Sequence, residues 1–168
     1  MDFIAVGGYG EVGRNMTYLR EGNDAIILDM GIRLDRVLIH EDTDISKMSQ
    51  AELIARGIIP DNSVITGGVK AIILGHGHLD HIGAVSVYYD KYKDVPIIGT
   101  PYTIELIKRE LRNKKARLYP LEMGSTFRIS PSMSVEFVRI SHSIPQTVMV
   151  VVHTPKGRYV YVNDFKLD

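Results

Sequence analysis

The stretch His76-Gly77-His78-Leu79-Asp80-His81 places three imidazoles and one carboxylate within six consecutive positions. The chain has only six histidines in 168 residues, so half of them lie in this motif. Imidazole nitrogens and carboxylate oxygens are both good ligands for zinc-like cations. The alternative is a polar loop whose histidines hydrogen-bond to the backbone. The density of ligand groups favours a metal site.

The sequence on either side of this motif predicts a strand followed by a helix. Val69–Leu74 is a short, apolar, β-branched run that is typical of a buried strand. Over His81–Lys93, apolar residues recur at three- and four-residue steps, which predicts an amphipathic helix. The motif is therefore expected on a strand-to-helix loop, where a rigid scaffold commonly holds functional side chains.

The composition describes one globular domain that neither crosses a membrane nor is secreted. Hydrophobic residues make up 45% of the chain and the mean hydropathy is -0.01. No apolar run approaches the roughly 20 residues of a membrane span, and the start at Met1 lacks a basic signal-peptide opening. The chain has no cysteine, so no disulfide framework points to secretion. A cytoplasmic enzyme is the expectation.

The charge is balanced, with 20 basic and 20 acidic residues, so no overall basic field gathers nucleic acid. One local run is basic and admits two interpretations, a phosphate-contacting surface or a solvated helix face, of which the second is favoured. Its members are Lys108, Arg109, Arg112, Lys114, Lys115 and Arg117.

The rest of the pattern predicts many short strands with a few helices between them. Ten strand-like runs are predicted at Phe3–Gly7, Met16–Arg20, Ala25–Met30, Val69–Leu74, Val95–Ile98, Arg117–Tyr119, Thr126–Ile129, Met133–Ile140, Val148–His153 and Tyr159–Val162. Helices are predicted over Ser49–Arg56, His81–Lys93 and Tyr102–Asn113, with Ser49 and Thr100 as caps, whereas Ile32–Lys47 reads as a non-periodic polar excursion. Hairpin turns at Gly22-Asn23 and Pro155-Lys156-Gly157 favour a sheet-on-sheet core covered by outer helices.

A glycine-rich stretch near the start imitates a dinucleotide-binding fingerprint. Gly8–Gly13 matches G-x-G-x-x-G, follows an apolar strand and has Asp29 further on. That fingerprint needs a full helix from the third glycine, so that the helix N-terminus meets the pyrophosphate. Here Met16–Arg20 is strand-like and a turn follows it, which leaves no room for such a helix. The glycines are expected to shape a loop over the same face as the metal motif.

Further metal ligands must come from outside the motif, because it fills only part of two sites. His142 follows the predicted strand that ends at Ile140, and Asp164 follows the one that ends at Val162. Both are polar residues at strand ends, where an exposed rim gathers ligands. His153 and His40 lack this context and are interpreted as structural or surface residues.

The order and spacing of these pieces resemble the metallo-β-lactamase superfamily. Within it, the chain is similar to the ribonuclease J family of the β-CASP branch in its archaeal form. Three motifs carry the resemblance, and together they cover the whole chain: Gly7–Met16 at the start, His76–Ala84 in the middle and Asp164–Asp168 at the end.

That resemblance implies an α/β fold, the αββα four-layer sandwich, with two Zn²⁺ ions at one edge, for which Mn²⁺ or Mg²⁺ can substitute. Six side chains are implied as ligands: His76, His78 and His142 for the first ion, Asp80 and His81 for the second, and Asp164 as a bridge between them. Asp29 matches the family's first motif and is implied to orient ligands without binding metal.

The implied activity is a metal-dependent ribonuclease that hydrolyses RNA phosphodiester bonds through a di-zinc-activated hydroxide. Asp80 is implied to accept the proton of the attacking water. The family characteristically degrades RNA from a 5′-monophosphate end, some members also cut internally, and a homo-oligomeric parent enzyme is compatible with it. The alternatives left open are a thioester or lactam hydrolase of the same superfamily and a non-catalytic metal-binding domain.

One departure bears on activity. In the family, the chain continues past the segment matched by Asp164–Asp168 into the β-CASP domain, and then returns with a further histidine for the second metal. Residues 1–168 are therefore expected to form the N-terminal portion of a metallo-β-lactamase domain, incomplete at its C-terminal end. We expect it to be weak or inactive on RNA when alone.

Overall fold

The computed structural model describes residues 1–39 and 47–167, and within those ranges the chain forms ten strands and five α-helices. The strands are β1 Asp2–Gly7, β2 Met16–Glu21, β3 Asp24–Leu28, β4 Ala71–Leu74, β5 Ile97–Gly99, β6 Leu118–Pro120, β7 Thr126–Arg128, β8 Ser134–Arg139, β9 Val148–Thr154 and β10 Gly157–Tyr161. The helices are α1 Leu34–Ile39, α2 Gln50–Ala55, α3 Leu79–Ile82, α4 Val85–Tyr92 and α5 Pro101–Glu110. All ten predicted strands are confirmed.

The strands form two sheets. The first has six strands in the order β1-β2-β3-β4-β5-β6, in which β1 to β3 pair antiparallel and β3 to β6 pair parallel. Each parallel step is crossed by helices, as parallel neighbours require. The second sheet has the antiparallel order β10-β9-β8-β7, and the predicted hairpin turn at Pro155-Lys156 joins β9 to β10.

A hydrophobic core lies between the two sheets. Along β3 and β4, alternate side chains such as Ile26, Leu28 and Ile73 point from the first sheet into this core. Phe137 and Val150 meet them from the second sheet, and all five side chains are buried. Strands β3 to β5 are covered on both faces and, after Asp24 at the start of β3, carry no polar side chain, which is typical of buried parallel strands.

The helices cover the outer face of the first sheet. Ile27 and Ile72 point to that side, where they share a second apolar cluster with Leu53 of α2, Tyr88 of α4 and Ile104 of α5. In the described part of the chain, no helix residue belongs to the core between the sheets. The described residues thus form three layers of the predicted αββα sandwich, namely helices, first sheet and second sheet. No described helix is long and apolar enough to cross a membrane.

The helix predicted over His81–Lys93 is confirmed over Val85–Tyr92, but it is not continuous from His81, because α3 ends at Ile82 and a break follows. The Gly83 amide donates to the Leu79 carbonyl at 2.8 Å and closes α3, but the next amide, of Ala84, donates to the Met30 carbonyl at 2.9 Å. A helix cannot continue through an amide that is bonded to another segment. This break holds α3 against the end of β3.

The prediction of a wholly irregular excursion over Ile32–Lys47 is also wrong, because α1 begins at Leu34. Val37 of this helix packs against the outer cluster, whereas Leu34 and Leu38 are exposed. A helix of six residues has fewer than two turns, which is too short a window for apolar periodicity to identify it. His40, interpreted as a surface residue, lies outside the described residues.

Both predicted cap residues occupy the N-cap position of a helix, but only one of them caps a backbone amide. Ser49 forms a complete capping box with Glu52 at the start of α2. Thr100 occupies the N-cap position of α5 and Pro101 its first turn, but the Thr100 hydroxyl bonds to Thr103 Oγ1 at 3.0 Å and caps no backbone amide.

Candidate metal centre

Four strand ends bring the predicted site residues to one edge of the sandwich. Asp29 follows β3 directly, and the histidine motif begins two residues after β4. From the second sheet, His142 follows β8 and Asp164 follows β10. All six predicted ligands fall into two groups in which the ligand atoms of each group lie within 4.8 Å of one another.

The first group gathers three imidazole nitrogens. His78 Nδ1 lies 3.0 Å from His76 Nε2 and 3.1 Å from His142 Nε2. Nitrogens bound to one tetrahedral zinc at about 2.0–2.1 Å are separated by about 3.3–3.4 Å, so the observed spacing is close to that of a metal site. Burial lowers the pKa of His76 to about 4 and also lowers that of His142. Both rings are therefore neutral near pH 7, the form that binds metal.

The second group contains Asp80, His81 and Asp164. His81 Nε2 lies 3.5 Å from Asp80 Oδ2 and 3.6 Å from Asp164 Oδ2. The same Asp164 oxygen lies 3.7 Å from His142 Nε2, so it faces both groups. A hydrogen bond from His81 lowers the pKa of Asp164 to about 2, which keeps this carboxylate ionised. Asp164 is thus placed where a bridging ligand must lie.

Asp29 lies behind the second group and is completely buried. Its Oδ1 accepts from the Gly75 amide at 2.9 Å, and its Oδ2 lies 2.7 Å from His81 Nδ1. The backbone of Asp29 is left-handed, with a φ of 61°, and its amide donates to the Ile73 carbonyl. With its Nδ1–H directed at a carboxylate, His81 presents Nε2 to the second group.

His81 is held between negative charges. Burial disfavours its protonated form, but the charge of Asp29 and the hydrogen bonds that His81 donates to Asp164, Asp29 and Asp80 raise its pKa to about 11. In the metal-free protein, a proton therefore occupies the nitrogen that a cation would bind. Metal uptake at the second group must displace this proton.

Two residues at this site were not predicted. The Tyr161 hydroxyl donates to Asp29 Oδ2 at 2.9 Å, and burial beside Asp29 raises the pKa of Tyr161 well above its usual value, so it remains a donor. The Asn15 amide nitrogen lies 3.1 Å from His81 Nε2. Asn15 stands two residues after the glycine-rich stretch Gly8–Gly13. Neither its position in the sequence nor that of Tyr161 predicts these contacts.

The glycine-rich stretch forms a loop, as predicted. Strand β1 ends at Gly7 and β2 begins at Met16, with no helix between them. The loop lies on the face of the histidine motif, because the Asn15 amide donates to the Asp80 carbonyl at 3.0 Å. The dinucleotide interpretation is therefore excluded on structural grounds.

His153, which was predicted to lie apart from the site, does so. His153 Nε2 bonds to Glu136 Oε2 at 2.9 Å on the outer face of the second sheet. Within the basic run, Lys114 lies over the Tyr89 ring at 4.5 Å and Arg117 donates to the Asp94 carbonyl. All six residues of the run are exposed, but α5 ends at Glu110, so the interpretation as a solvated helix face holds for Lys108 and Arg109 alone.

The family comparison agrees with this geometry. The family described as Beta-lactamase superfamily domain matches residues 59–167, which is more than half of the chain. The chain belongs to the beta-lactamase superfamily. The match includes the histidine motif, His142 and Asp164. The superfamily predicted from the sequence motifs is confirmed.

Individual relatives within the beta-lactamase superfamily are more specific. The chain is 57% identical over 176 residues to Ribonuclease J of Methanocaldococcus jannaschii, covering 100% of this chain and 39% of that protein. It is 50% identical over 169 residues to Ribonuclease J of Pyrococcus abyssi, covering 97% and 38%. The chain therefore spans about two fifths of the length of these curated relatives.

A solved structure shares the fold. The metallo-beta-lactamase fold protein YhfI from Bacillus subtilis superposes with a TM-score of 0.64 at 14% sequence identity, over 99% of this chain and 63% of that chain. At this identity the likeness concerns the fold alone. It agrees with the two packed sheets.

Proposed function

We propose that this chain carries the metal centre of a metal-dependent ribonuclease that resembles ribonuclease J. The observation that carries the proposal is the pair of ligand groups that share Asp164 Oδ2, one with three histidine nitrogens and the other with Asp80 and His81. A shared carboxylate is the arrangement that holds two cations a few ångströms apart.

The residues fit two divalent cations by the chemistry of their donors. When two such cations are bound, the chemistry supplied at the site is activation of water and neutralisation of charge on a phosphoryl group. The nitrogen-rich first group suits zinc, whereas the two carboxylates of the second group also accept Mn²⁺ or Mg²⁺. We therefore propose two Zn²⁺ ions, with Mn²⁺ or Mg²⁺ as substitutes.

Asp80 is proposed as the group that accepts a proton from the attacking water. Burial alone would raise its pKa, but the hydrogen bond and charge of His81 lower it, so Asp80 is ionised at neutral pH. Its side chain is 18% exposed, and Asp164 beside it is 46% exposed. Water and a substrate phosphate can therefore reach both carboxylates, while Asp29 stays buried and holds His81.

RNA is the proposed substrate. Two curated relatives, which are 57% and 50% identical to this chain over the matched residues, are named Ribonuclease J. An open groove of about 600 Å³ borders His142, and its lining includes Arg139, Ser141 and Ser143. Cationic and hydroxyl groups of this kind bind phosphate oxygens without reading sequence. Degradation from a 5′-monophosphate end is the proposed direction.

The test compares residues 1–168 with a version extended to the length of the relatives, on 5′-monophosphorylated RNA with zinc or manganese. We expect cleavage by the long version and little by the short one, because few phosphate contacts are available in a chain of zero net charge. Cleavage by neither would exclude a ribonuclease. Turnover of a thioester or lactam, with RNA untouched, would favour the other hydrolase class.

The role of Asp80 is tested in the long version with a matched pair of carboxylate-to-amide changes. Asp80→Asn should reduce the cleavage rate by roughly 100-fold or more, which is the usual effect of losing a general base. Glu136→Gln, which alters a carboxylate bonded to His153 on the outer face of the second sheet, should leave the rate unchanged. Equal rates in the two variants would remove Asp80 from the reaction.

A further inference from the structure

The glycine-rich loop before β2 brings a side-chain amide against the second ligand group. Asn15 Nδ2 lies 3.0 Å from the Asp80 carbonyl oxygen, 3.5 Å from Asp80 Oδ2 and 3.1 Å from His81 Nε2. One atom of Asn15 thus approaches both of the proposed second-site ligands that α3 supplies. The proposed function assigns no role to it.

The orientation of this amide follows from its partners. The Asp80 carbonyl oxygen can only accept a hydrogen bond, so the Asn15 atom that faces it must be the NH₂ group and not the amide oxygen. The second N–H of the same group then points toward the Asp80 carboxylate. Asn15 is therefore a donor at this site, and its oxygen faces away from it.

The backbone around Asn15 is built to hold it there. Its amide donates to the Asp80 carbonyl at 3.0 Å, and its carbonyl accepts from the Gly31 amide at 2.9 Å. A side chain at position 31 would come within 1.5 Å of the same Asp80 carbonyl oxygen. The contact between this loop and α3 therefore requires glycine at position 31.

Gly8, the first glycine of the motif, holds the other side of the Asn15 side chain. It has a φ of 87°, and an added Cβ would lie 2.3 Å from Asn15 Oδ1 and 2.9 Å from Asn15 Cα. Glu11 braces the loop further, because its carboxylate pairs with Arg14 at 2.5 Å and with Arg33 at 2.8 Å. The first glycine of the motif that imitates a dinucleotide fingerprint thus lies directly against the Asn15 side chain.

We propose that Asn15 is a positioning residue of the second metal site. Its side-chain amide ties the backbone of Asp80 to the loop and directs an N–H at the Asp80 carboxylate, which fixes the direction in which this ligand points. Removal of a hydrogen-bonding partner behind a metal ligand commonly costs about 10–100-fold in metal affinity. The inference rests on the proposed metal centre but does not depend on RNA as the substrate.

The experiment measures zinc affinity site by site in residues 1–168, by competition with a chelator and by the visible spectrum of the Co²⁺-loaded protein. His78→Ala identifies the binding step that belongs to the first site, because His78 is a member of that group alone. Asn15→Ala keeps both backbone hydrogen bonds of residue 15. Asn23→Ala, in the exposed turn between β2 and β3, is the matched control.

Asn15→Ala is expected to weaken the second binding step by about 10–100-fold and to leave the first step within about twofold. Asn15→Asp is expected to weaken it further, because it sets a carboxylate against Asp80. Asn23→Ala should bind as the unaltered chain does, and the far-ultraviolet circular dichroism of all metal-free variants should coincide.

Four results would overturn the inference. An unchanged second step in Asn15→Ala would show that the amide does not position the site, and equal losses at both sites would show a purely structural role. Tighter binding by Asn15→Asp would make residue 15 a ligand and not a donor. If the unaltered chain binds no metal, the proposed metal centre fails as well. A chain that binds two metals but cleaves no RNA would overturn only the substrate assignment.

Discussion

Tyr161 of the second sheet donates a hydrogen bond to Asp29 of the first sheet at 2.9 Å, and the same carboxylate oxygen lies 2.7 Å from His81 Nδ1. The two residues are 132 positions apart, and Asp164 follows Tyr161 by three. One hydroxyl therefore ties β10, the strand that precedes Asp164, to the carboxylate that accepts a hydrogen bond from His81.

Tyr161→Phe should weaken metal binding at the second site by about 10-fold, since Asp29 then orients His81 with one donor fewer. The loss of a donor to a buried carboxylate should also lower the free energy of unfolding by about 1–3 kcal/mol. Chelator competition and urea denaturation measure the two effects. Tyr159→Phe, two residues away on β10, is the control, and similar metal affinities in both variants would contradict the role of Tyr161.

His78→Ala should abolish metal binding at the first site. His78 Nδ1 lies about midway between two other ligand nitrogens, at 3.0 Å and 3.1 Å, so its removal leaves a gap in that group. His153→Ala should leave metal binding unchanged, because His153 bonds to Glu136 away from the site. A metal titration of both variants decides this, and equal losses would mean that the histidines are misassigned.

Limiting zinc should fill the first site before the second. The first site offers three histidine nitrogens, two of them with a pKa lowered by burial. The second offers only one, and the pKa of His81 near 11 means that a proton must leave before zinc can bind. Isothermal titration in two buffers of different ionisation enthalpy would report this proton release. Equal occupancy at one equivalent of zinc would contradict the order.

Much of this architecture could be predicted from the sequence, because the controlling interactions are local. Short β-branched runs predicted the strands correctly. Their apolar patterns, and turn residues such as Gly22-Asn23, depend only on neighbouring positions in the sequence. The helix break at Ala84 could not be predicted, because it depends on a hydrogen bond to Met30, 54 positions away (84 − 30). Helix α1 was missed because its six residues are too few for a periodic pattern to be read.

The candidate site, like the fold, could be predicted only in part. The motif from His76 to His81 is contiguous, and His142 and Asp164 follow predicted strands, so ligand chemistry at strand ends was enough to identify them. Asn15 and Tyr161 act through contacts that span 66 and 132 positions, and no periodicity records such pairs. The glycines that precede Asn15 form a recognisable motif, but its spacing suggested nucleotide binding. The close approach of Gly8 to Asn15 is visible only in the structure.

Zinc should stabilise the fold, and a chelator should remove that gain. The ligands come from both sheets, so a bound ion joins the α3 region to the segments after β8 and β10. A ligand present at 1,000 times its dissociation constant adds about 4 kcal/mol to the free energy of unfolding. Thermal denaturation with zinc, with EDTA and with His78→Ala should show a rise that the variant largely loses. An equal rise in the variant would place the stabilising zinc elsewhere.

Anomalous scattering at the zinc absorption edge, measured on crystals of the zinc-loaded chain, would show whether two cations share Asp164. We expect two peaks a few ångströms apart, one among His76, His78 and His142 and the other beside Asp80 and His81, with Asp164 between them. Absence of both peaks from this edge of the sandwich, or a single peak that does not contact Asp164, would contradict the account.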